Sequence, residues 1–262
     1  MRIFTVDAFS DRPFRGNPAG VCLLDGPATT DWMQSVAAEL RHAETAFIYS
    51  EADGHLLRWF TPTVEVALCG HATLATAHVL YSLGATGSLT FETRGGTLRT
   101  ERGPDGMIRM DFPAQPVTPV EPPTGLAEAL RVSPVGVWRG EFDLLVEVES
   151  ARAVRRVAPD FARLARIDAR GAIVTAAADP ADGPDVDFVS RFFAPACGVD
   201  EDPVTGSAHC ALAPFWGDRF GRLALIGAQL SARGGIVRAT RHGDRVELAG
   251  HAVTIWSGNL HV

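Results

Sequence analysis

An α+β fold of two pseudo-symmetric domains, each a β-barrel-like roll around a central helix, follows from three features of the 262-residue sequence. The first is a repeat. Arg58-Trp59-Phe60-Thr61-Pro62 returns as Arg191-Phe192-Phe193-Ala194-Pro195, and Gly70-His71-Ala72 returns as Gly206-Ser207-Ala208. Arg94-Gly95-Gly96-Thr97-Leu98-Arg99 returns as Arg233-Gly234-Gly235-Ile236-Val237-Arg238. The offsets are 191 − 58 = 133, 206 − 70 = 136 and 233 − 94 = 139. Three anchors in order, near half the chain length, mark a tandem duplication. The second feature is one apolar, alanine-rich helix in each copy, the pattern of a helix wrapped by sheet. The third is a train of short strand-like runs with turn signals between them, in a chain carrying 26 glycines and 17 prolines.

Met1-Arg2-Ile3-Phe4-Thr5-Val6-Asp7 alternates as a strand and lacks the apolar run of a signal peptide. The strand that ends in Arg58 to Pro62 leads through a loop into a helix expected over 70–82, with Ala72, Leu74, Ala75, His78, Val79 and Leu80 as its apolar surface. Runs 89–92, 97–100 and 107–110 read as strands. The proline-rich stretch 113–123 is the expected boundary, giving domains 1–117 and 118–262, with the last strand of the chain a candidate to join the first. Run 151–170, with charges around Val154, Val157, Phe161 and Leu164, reads as surface helices on the second domain. Asp185 and Asp187 read as solvated loop carboxylates. The second helix is expected over 206–219 through Ala208, Ala211, Leu212 and Phe215, followed by strands at 228–231, 236–239 and 245–248. Arg94-Gly95-Gly96 and Arg233-Gly234-Gly235, lying between strand-like runs, read as hairpin turns rather than anion loops.

Composition removes whole classes of chemistry. All 24 residues counted as Lys+Arg are arginine. Without lysine there is no Schiff base to pyridoxal phosphate or to an aldolase substrate, no P-loop lysine, and no kinase lysine. With a formal net charge of −7 and no arginine stripe, nucleic acid and anionic membranes are not expected partners. No apolar stretch approaches the ~20 residues of a membrane span. Cys22, Cys69, Cys197 and Cys210 are scattered, with no CxxC pair. A soluble, cytoplasmic protein is expected.

The duplicated helix start is where chemistry is expected. A helix N-terminus carries unpaired amides and partial positive charge, and glycine lets a ligand approach the backbone. Two such starts facing one another across a cleft would hold a carboxylate or oxyanion. Turn glycines would be duplicated too; the polar residues beside them tip the reading to function: His71 and Thr73 in one copy, and Asp202, Thr205, Ser207 and His209 in the other. No HExxH or tight HxxxH pattern supports a metal, and Ser207 directly follows its glycine, unlike a hydrolase elbow.

Asp7-Ala8-Phe9, Pro13-Phe14-Arg15-Gly16-Asn17-Pro18-Ala19-Gly20-Val21, Glu44-Thr45-Ala46-Phe47, Cys69-Gly70-His71-Ala72-Thr73 and Glu201-Asp202-Pro203-Val204-Thr205-Gly206-Ser207-Ala208-His209 together resemble the PhzF family, named for the phenazine-biosynthesis isomerase. The resemblance spans essentially the whole chain. It implies a diaminopimelate epimerase-like fold with the active site between the domains. It further implies a homodimer, a small carboxylate-bearing substrate, no cofactor and no metal. The implied reaction is a proton shift of the type that isomerises trans-2,3-dihydro-3-hydroxyanthranilate. Glu44 falls at the family's catalytic glutamate; a carboxyl in an apolar pocket can act as base and then acid. The plain alternative is a strand glutamate facing solvent. His71, Asp202 and Ser207 match the other catalytic positions, as proton relay or hydrogen-bonding partners. Asn17, Gly70, Thr73, Thr205 and Gly206 match the substrate-binding surroundings, with the two glycines offering amides to the carboxylate.

Thiols separate two mechanisms. Related racemases and epimerases use a cysteine on each face of the substrate carbon. Cys69 precedes Gly70, but the duplicated position before Gly206 is Thr205, so a two-thiol inversion lacks one base. Cys197 is the spare candidate, read instead as a buried small hydrophobe along with Cys22 and Cys210. An epimerase or racemase using Cys69, and a binding protein that keeps the site without turnover, remain as alternatives.

Overall fold

The computed structural model describes residues 1–51 and 54–261 and divides into two compact units: residues 1–111 with 249–262, and residues 112–248. In the first, β1 (Arg2–Ala8) pairs antiparallel with β2 (Asn17–Leu23). After α1 (Thr30–Leu40), β3 (Glu44–Glu51) returns parallel to β2 and antiparallel to β4 (Gly54–Phe60). Then follow β5 (Glu65–Val66), α2 (Gly70–Ser82), β6 (Leu89–Thr93), β7 (Gly96–Arg102) and β8 (Ile108–Pro113). The second unit runs β9 (Thr118–Val120), α3 (Leu126–Leu130), β10 (Gly136–Arg139), β11 (Asp143–Glu147), α4 (Ala151–Arg156), α5 (Phe161–Leu164) and β12 (Gly171–Ala177). It continues with β13 (Phe188–Ala194), β14 (Val199–Asp202), α6 (Gly206–Phe220), β15 (Ala224–Gln229), β16 (Gly235–His242) and β17 (Arg245–Gly250). The last strand, β18 (Ala252–Asn259), pairs with β1 in the first unit.

The two units share one plan of strand pairing. In both, an antiparallel pair is joined by a parallel strand (β2–β3, β11–β12), then an antiparallel one (β3–β4, β12–β13). A further parallel pairing follows, with His55 opposite Phe91 in one unit and Phe188 opposite Gly227 in the other. These pairs differ by 188 − 55 = 133 and 227 − 91 = 136, the offsets of the sequence repeat. The duplication is therefore one of hydrogen-bond register as well as of sequence.

Each unit closes over its own helix. α2 packs on β1, β2, β3, β7 and β18, and buries residues all round, from His71 to Tyr81. Such a helix has no amphipathic stripe because every side faces sheet. α6 packs on β15 and β16 and is buried from Ala208 to Gly217 apart from its ends. Within it Trp216 Nε1 donates to Thr175 Oγ1 at 3.0 Å, pinning the helix to β12. Helix α1 begins where the Thr29 hydroxyl accepts from the Trp32 amide at 3.3 Å and ends at Arg41 with φ 55. Met33, Val36 and Ala37 press on Phe47 and Phe60, whose rings meet edge-on at 5.5 Å.

Two sequence readings need correction. Asp187 is not a solvated loop carboxylate: its side chain accepts from the Ile226 amide at 2.7 Å and pairs with Arg222, fixing the start of β15. Cys197 is exposed rather than buried, because it sits on a single 3-10 turn, Pro195–Cys197, that Gly198 ends at φ 80. Cys22 and Cys210 are buried, as read.

Candidate active site

In the first unit the sequence brings its polar residues to one place. Gly16 adopts φ 70, and a Cβ there would stand 2.1 Å from the Ala8 carbonyl oxygen, so only glycine makes this turn. The turn delivers Asn17 to the start of β2, fully buried. Glu44 opens β3 and His71 is the second residue of α2. Glu44 Oε2 lies 3.2 Å from His71 Nε2, with the carboxylate side chain 21% exposed and the imidazole 7%. On the other edge of the ring, Asn17 Nδ2 donates to Nδ1 at 3.3 Å, and Cys69 Sγ is 3.6 Å from the same nitrogen. A ring that accepts at Nδ1 carries its proton on Nε2, which lies 3.2 Å from Glu44 Oε2 without forming a hydrogen bond to it. Burial, with a smaller push from the charge of His42, drives the His71 pKa down from 6.5 to about 3, so the imidazole is neutral.

Glu44, Cys69 and His71 each place one potential metal-ligand atom within 4.8 Å of the others. Their close contacts, however, use opposite ring nitrogens. One metal ion binds one nitrogen of a ring. The Cys69 sulfur and a Glu44 carboxylate oxygen nevertheless lie within 4.8 Å of each other, so the three groups form a triangle and not a line. The Thr73 hydroxyl is engaged inside the helix, donating to the Cys69 carbonyl at 2.6 Å.

In the second unit Asp202 ends β14 and Thr205 caps the approach to α6. The Thr205 hydroxyl donates to Asp202 Oδ2. Gln229, the last residue of β15, ties this loop down: its Oε1 accepts from the Thr205 amide at 2.9 Å, and its Nε2 donates to the Asp202 carbonyl at 2.7 Å. Ser207 is the second residue of α6, the same helical place that His71 holds in α2. His209 is buried, donates from Nδ1 to the Thr205 carbonyl at 2.9 Å, and is pushed down by burial to about 4. Both long helices start without a side-chain cap, at Cys69 and at Thr205, whereas Thr29, Ser150 and Asp160 cap α1, α4 and α5.

The same bracket steers both helix starts. Arg58 pairs with Glu65 through Nε at 2.7 Å and Nη2 at 2.9 Å, and Arg191 pairs with Glu201 through Nε at 2.6 Å and Nη2 at 2.9 Å. Each glutamate stands five residues before its helix-starting glycine (70 − 65 and 206 − 201). Sequence reasoning missed these glutamates, Gln229, and the Asp143–Arg170 pair that reaches Ser207. For Gln229 the signal was an amide inside an otherwise apolar strand. Arg170 falls in the run read as surface helix, but α5 ends at Leu164, and Arg170 precedes β12 with its guanidinium on Asp143 and Ser207.

A solved structure of the PhzF family from Enterococcus faecalis matches with a TM-score of 0.94 and 36% identity, covering 100% of this chain and 99% of that one. A hydroxyproline epimerase from Agrobacterium vitis matches with a TM-score of 0.60 at 10% identity, over 98% of this chain and 91% of that one, which speaks for the fold alone. An uncharacterized isomerase of Pseudomonas aeruginosa is 51% identical over 259 residues, 98% of this chain and 97% of its own. The protein is an isomerase with a diaminopimelate epimerase-like fold. It belongs to the PhzF family, whose model, described as phenazine biosynthesis-like protein, matches residues 6–258. Among the described residues no helix is long and apolar enough to cross a membrane.

Proposed function

We propose that the protein isomerises a small carboxylate-bearing substrate by removing a proton at one carbon and returning it at another, with Glu44 as the general acid/base and no cofactor. The observation that carries this reading is the 3.2 Å contact between Glu44 Oε2 and a buried, neutral His71 whose Nδ1 is occupied by Asn17. A neutral imidazole cannot quench the carboxylate as a full counter-ion would. It stands beside the carboxylate, its Nε2 within 3.2 Å and not yet hydrogen-bonded to it, where it is placed to exchange a proton with substrate or carboxylate. The chemistry resembles the conversion of trans-2,3-dihydro-3-hydroxyanthranilate, which is the first compound to test. Asp202 and Ser207 are hydrogen-bonding candidates in the second unit, and the uncapped helix starts at Gly70 and Gly206 each offer backbone amides to a carboxylate. The chain works as a homodimer in the cytoplasm; light scattering reads the first of these.

The second reading, epimerisation through Cys69, draws on the thiol's place 3.6 Å from His71 Nδ1. Thr205 at the duplicated position offers no second thiol. Deuterium wash-in from heavy water, compared between Glu44→Gln and Cys69→Ser, separates the two. Exchange lost with Glu44→Gln and kept with Cys69→Ser supports the carboxylate; the reverse installs the thiol.

A further inference from the structure

The duplication reaches further back along the chain than the sequence repeat. In the first unit β3 starts on Glu44, opposite Ala19 of parallel β2 and one residue before Thr45, which faces Phe60. In the second β12 starts on Gly171, opposite Asp143 of parallel β11 and one residue before Ala172, which faces Phe193. Phe60 and Phe193 are repeat mates (193 − 60 = 133), so Glu44 and Gly171 occupy the same position. His71 and Ser207 are mates as well (207 − 71 = 136). In the first unit the residue at the strand start touches the second residue of the helix, Glu44 to His71 at 3.2 Å. In the second unit the residue just before the strand makes the corresponding contact: Arg170 Nη2 donates to Ser207 Oγ at 3.1 Å. In both copies the second helix residue is touched from the start of this strand, by the acid at the register position in one and by the guanidinium one residue before it in the other.

The guanidinium is firmly placed. Its Nε donates to Asp143 Oδ1 at 2.9 Å and its Nη2 to Asp143 Oδ2, a carboxylate that is 5% exposed. It lies 5.1 Å from the Phe142 ring and 5.8 Å from the Phe192 ring. Yet the Arg170 side chain is 36% exposed, and Nη1 has no hydrogen-bond partner among the described residues. Because Nη2 donates to Ser207 Oγ, one of the serine's two lone pairs is engaged, and its own proton cannot point at the guanidinium and is directed elsewhere. Asp143 balances the charge of Arg170, so what the arrangement offers is a set of directed donors rather than bare attraction.

We propose that Arg170, pinned by Asp143, is the residue that selects a carboxylate: it holds Ser207 as a hydrogen-bond donor and presents Nη1 beside it. The proposal rests on the reading that the substrate bears a carboxylate. Calorimetric titration with anthranilate and with anthranilamide, which differ in the charge of one group, tests it. The wild-type protein binds anthranilate more tightly, and Ser207→Ala cuts the preference about tenfold, as loss of one charge-assisted hydrogen bond would. Arg170→Ala would strand Asp143 buried and unpaired, so the companion variant is Asp143→Asn with Arg170→Gln, which removes both charges together. It too lowers the preference about tenfold while affinity for anthranilamide stays within twofold; a merely structural role would weaken both ligands alike. A preference unchanged in both variants, or absent from the wild type, overturns the proposal. Deuterium exchange that still depends on Glu44 alongside an unchanged preference would sink this inference and leave the proton-transfer reading standing.

Discussion

At the scale of single residues, His71 carries the account. Its ring is buried, accepts from Asn17 and faces Glu44 with the nitrogen that bears the proton. Burial holds it neutral at about 3, and His209 likewise at about 4, both below the ordinary 6.5. The unfolded chain takes up protons at these histidines below pH 6.5 while the folded chain does not. Their stability contribution is therefore complete above pH 6.5 and declines as the pH falls toward the folded values, by about 1.4 kcal/mol per pH unit for each ring. Urea midpoints taken from pH 6.5 to 4.5 check this: a steady fall is expected, and His209→Gln flattens part of it. The same geometry bears on metals. Because the proposed proton transfer needs no metal, treatment with a chelator is expected to leave exchange unchanged within about twofold before and after dialysis, and a larger loss would point to an ion held by Glu44, Cys69 and His71. Glu44, His71, Asp202 and Ser207 could be singled out as candidates because short motifs surround them. Arg170 and Asp143 could not, being 27 residues apart with no local pattern to join them.

At the scale of elements, the helix starts are made by what precedes them. The Arg58–Glu65 and Arg191–Glu201 brackets fix the chain five residues ahead of Gly70 and Gly206, and Gln229 closes the second approach. Helix 70–82 matches α2 residue for residue, and 206–219 falls one short of α6, because glycine at the head and a fully apolar body are strong local signals. The brackets were invisible because β5 and β14, which carry Glu65 and Glu201, are two and four residues long, too short to show a strand pattern. Gln229→Ala removes the partner of the buried Thr205 amide and of the half-buried Asp202 carbonyl. A loss of about 3 kcal/mol in urea unfolding is expected, with catalytic exchange falling alongside it as Asp202 loses its mooring. Unchanged stability would show the loop is held by other means.

At the scale of the whole molecule, a duplication explains both the common plan and the difference in chemistry. Three short sequence matches revealed it, and the strand registers extend it to Glu44 and Gly171, where no sequence similarity survives. Hydrogen-bond register is conserved by the pleat and the core. Side chains at the strand start are free to diverge: the first copy holds Glu44 where the second holds Gly171, and the guanidinium that reaches Ser207 comes from Arg170, one residue earlier. The absence of lysine excluded the cofactor most used to move a proton beside an amine. The reaction we propose is a proton transfer run by Glu44 with His71 beside it. The most direct test is turnover of trans-2,3-dihydro-3-hydroxyanthranilate and related small acids in heavy water by the wild-type protein, Glu44→Gln and Cys69→Ser. The account predicts deuterium in the wild-type product, a loss of at least about a thousandfold for Glu44→Gln, and retained exchange for Cys69→Ser. Full exchange by Glu44→Gln would contradict it.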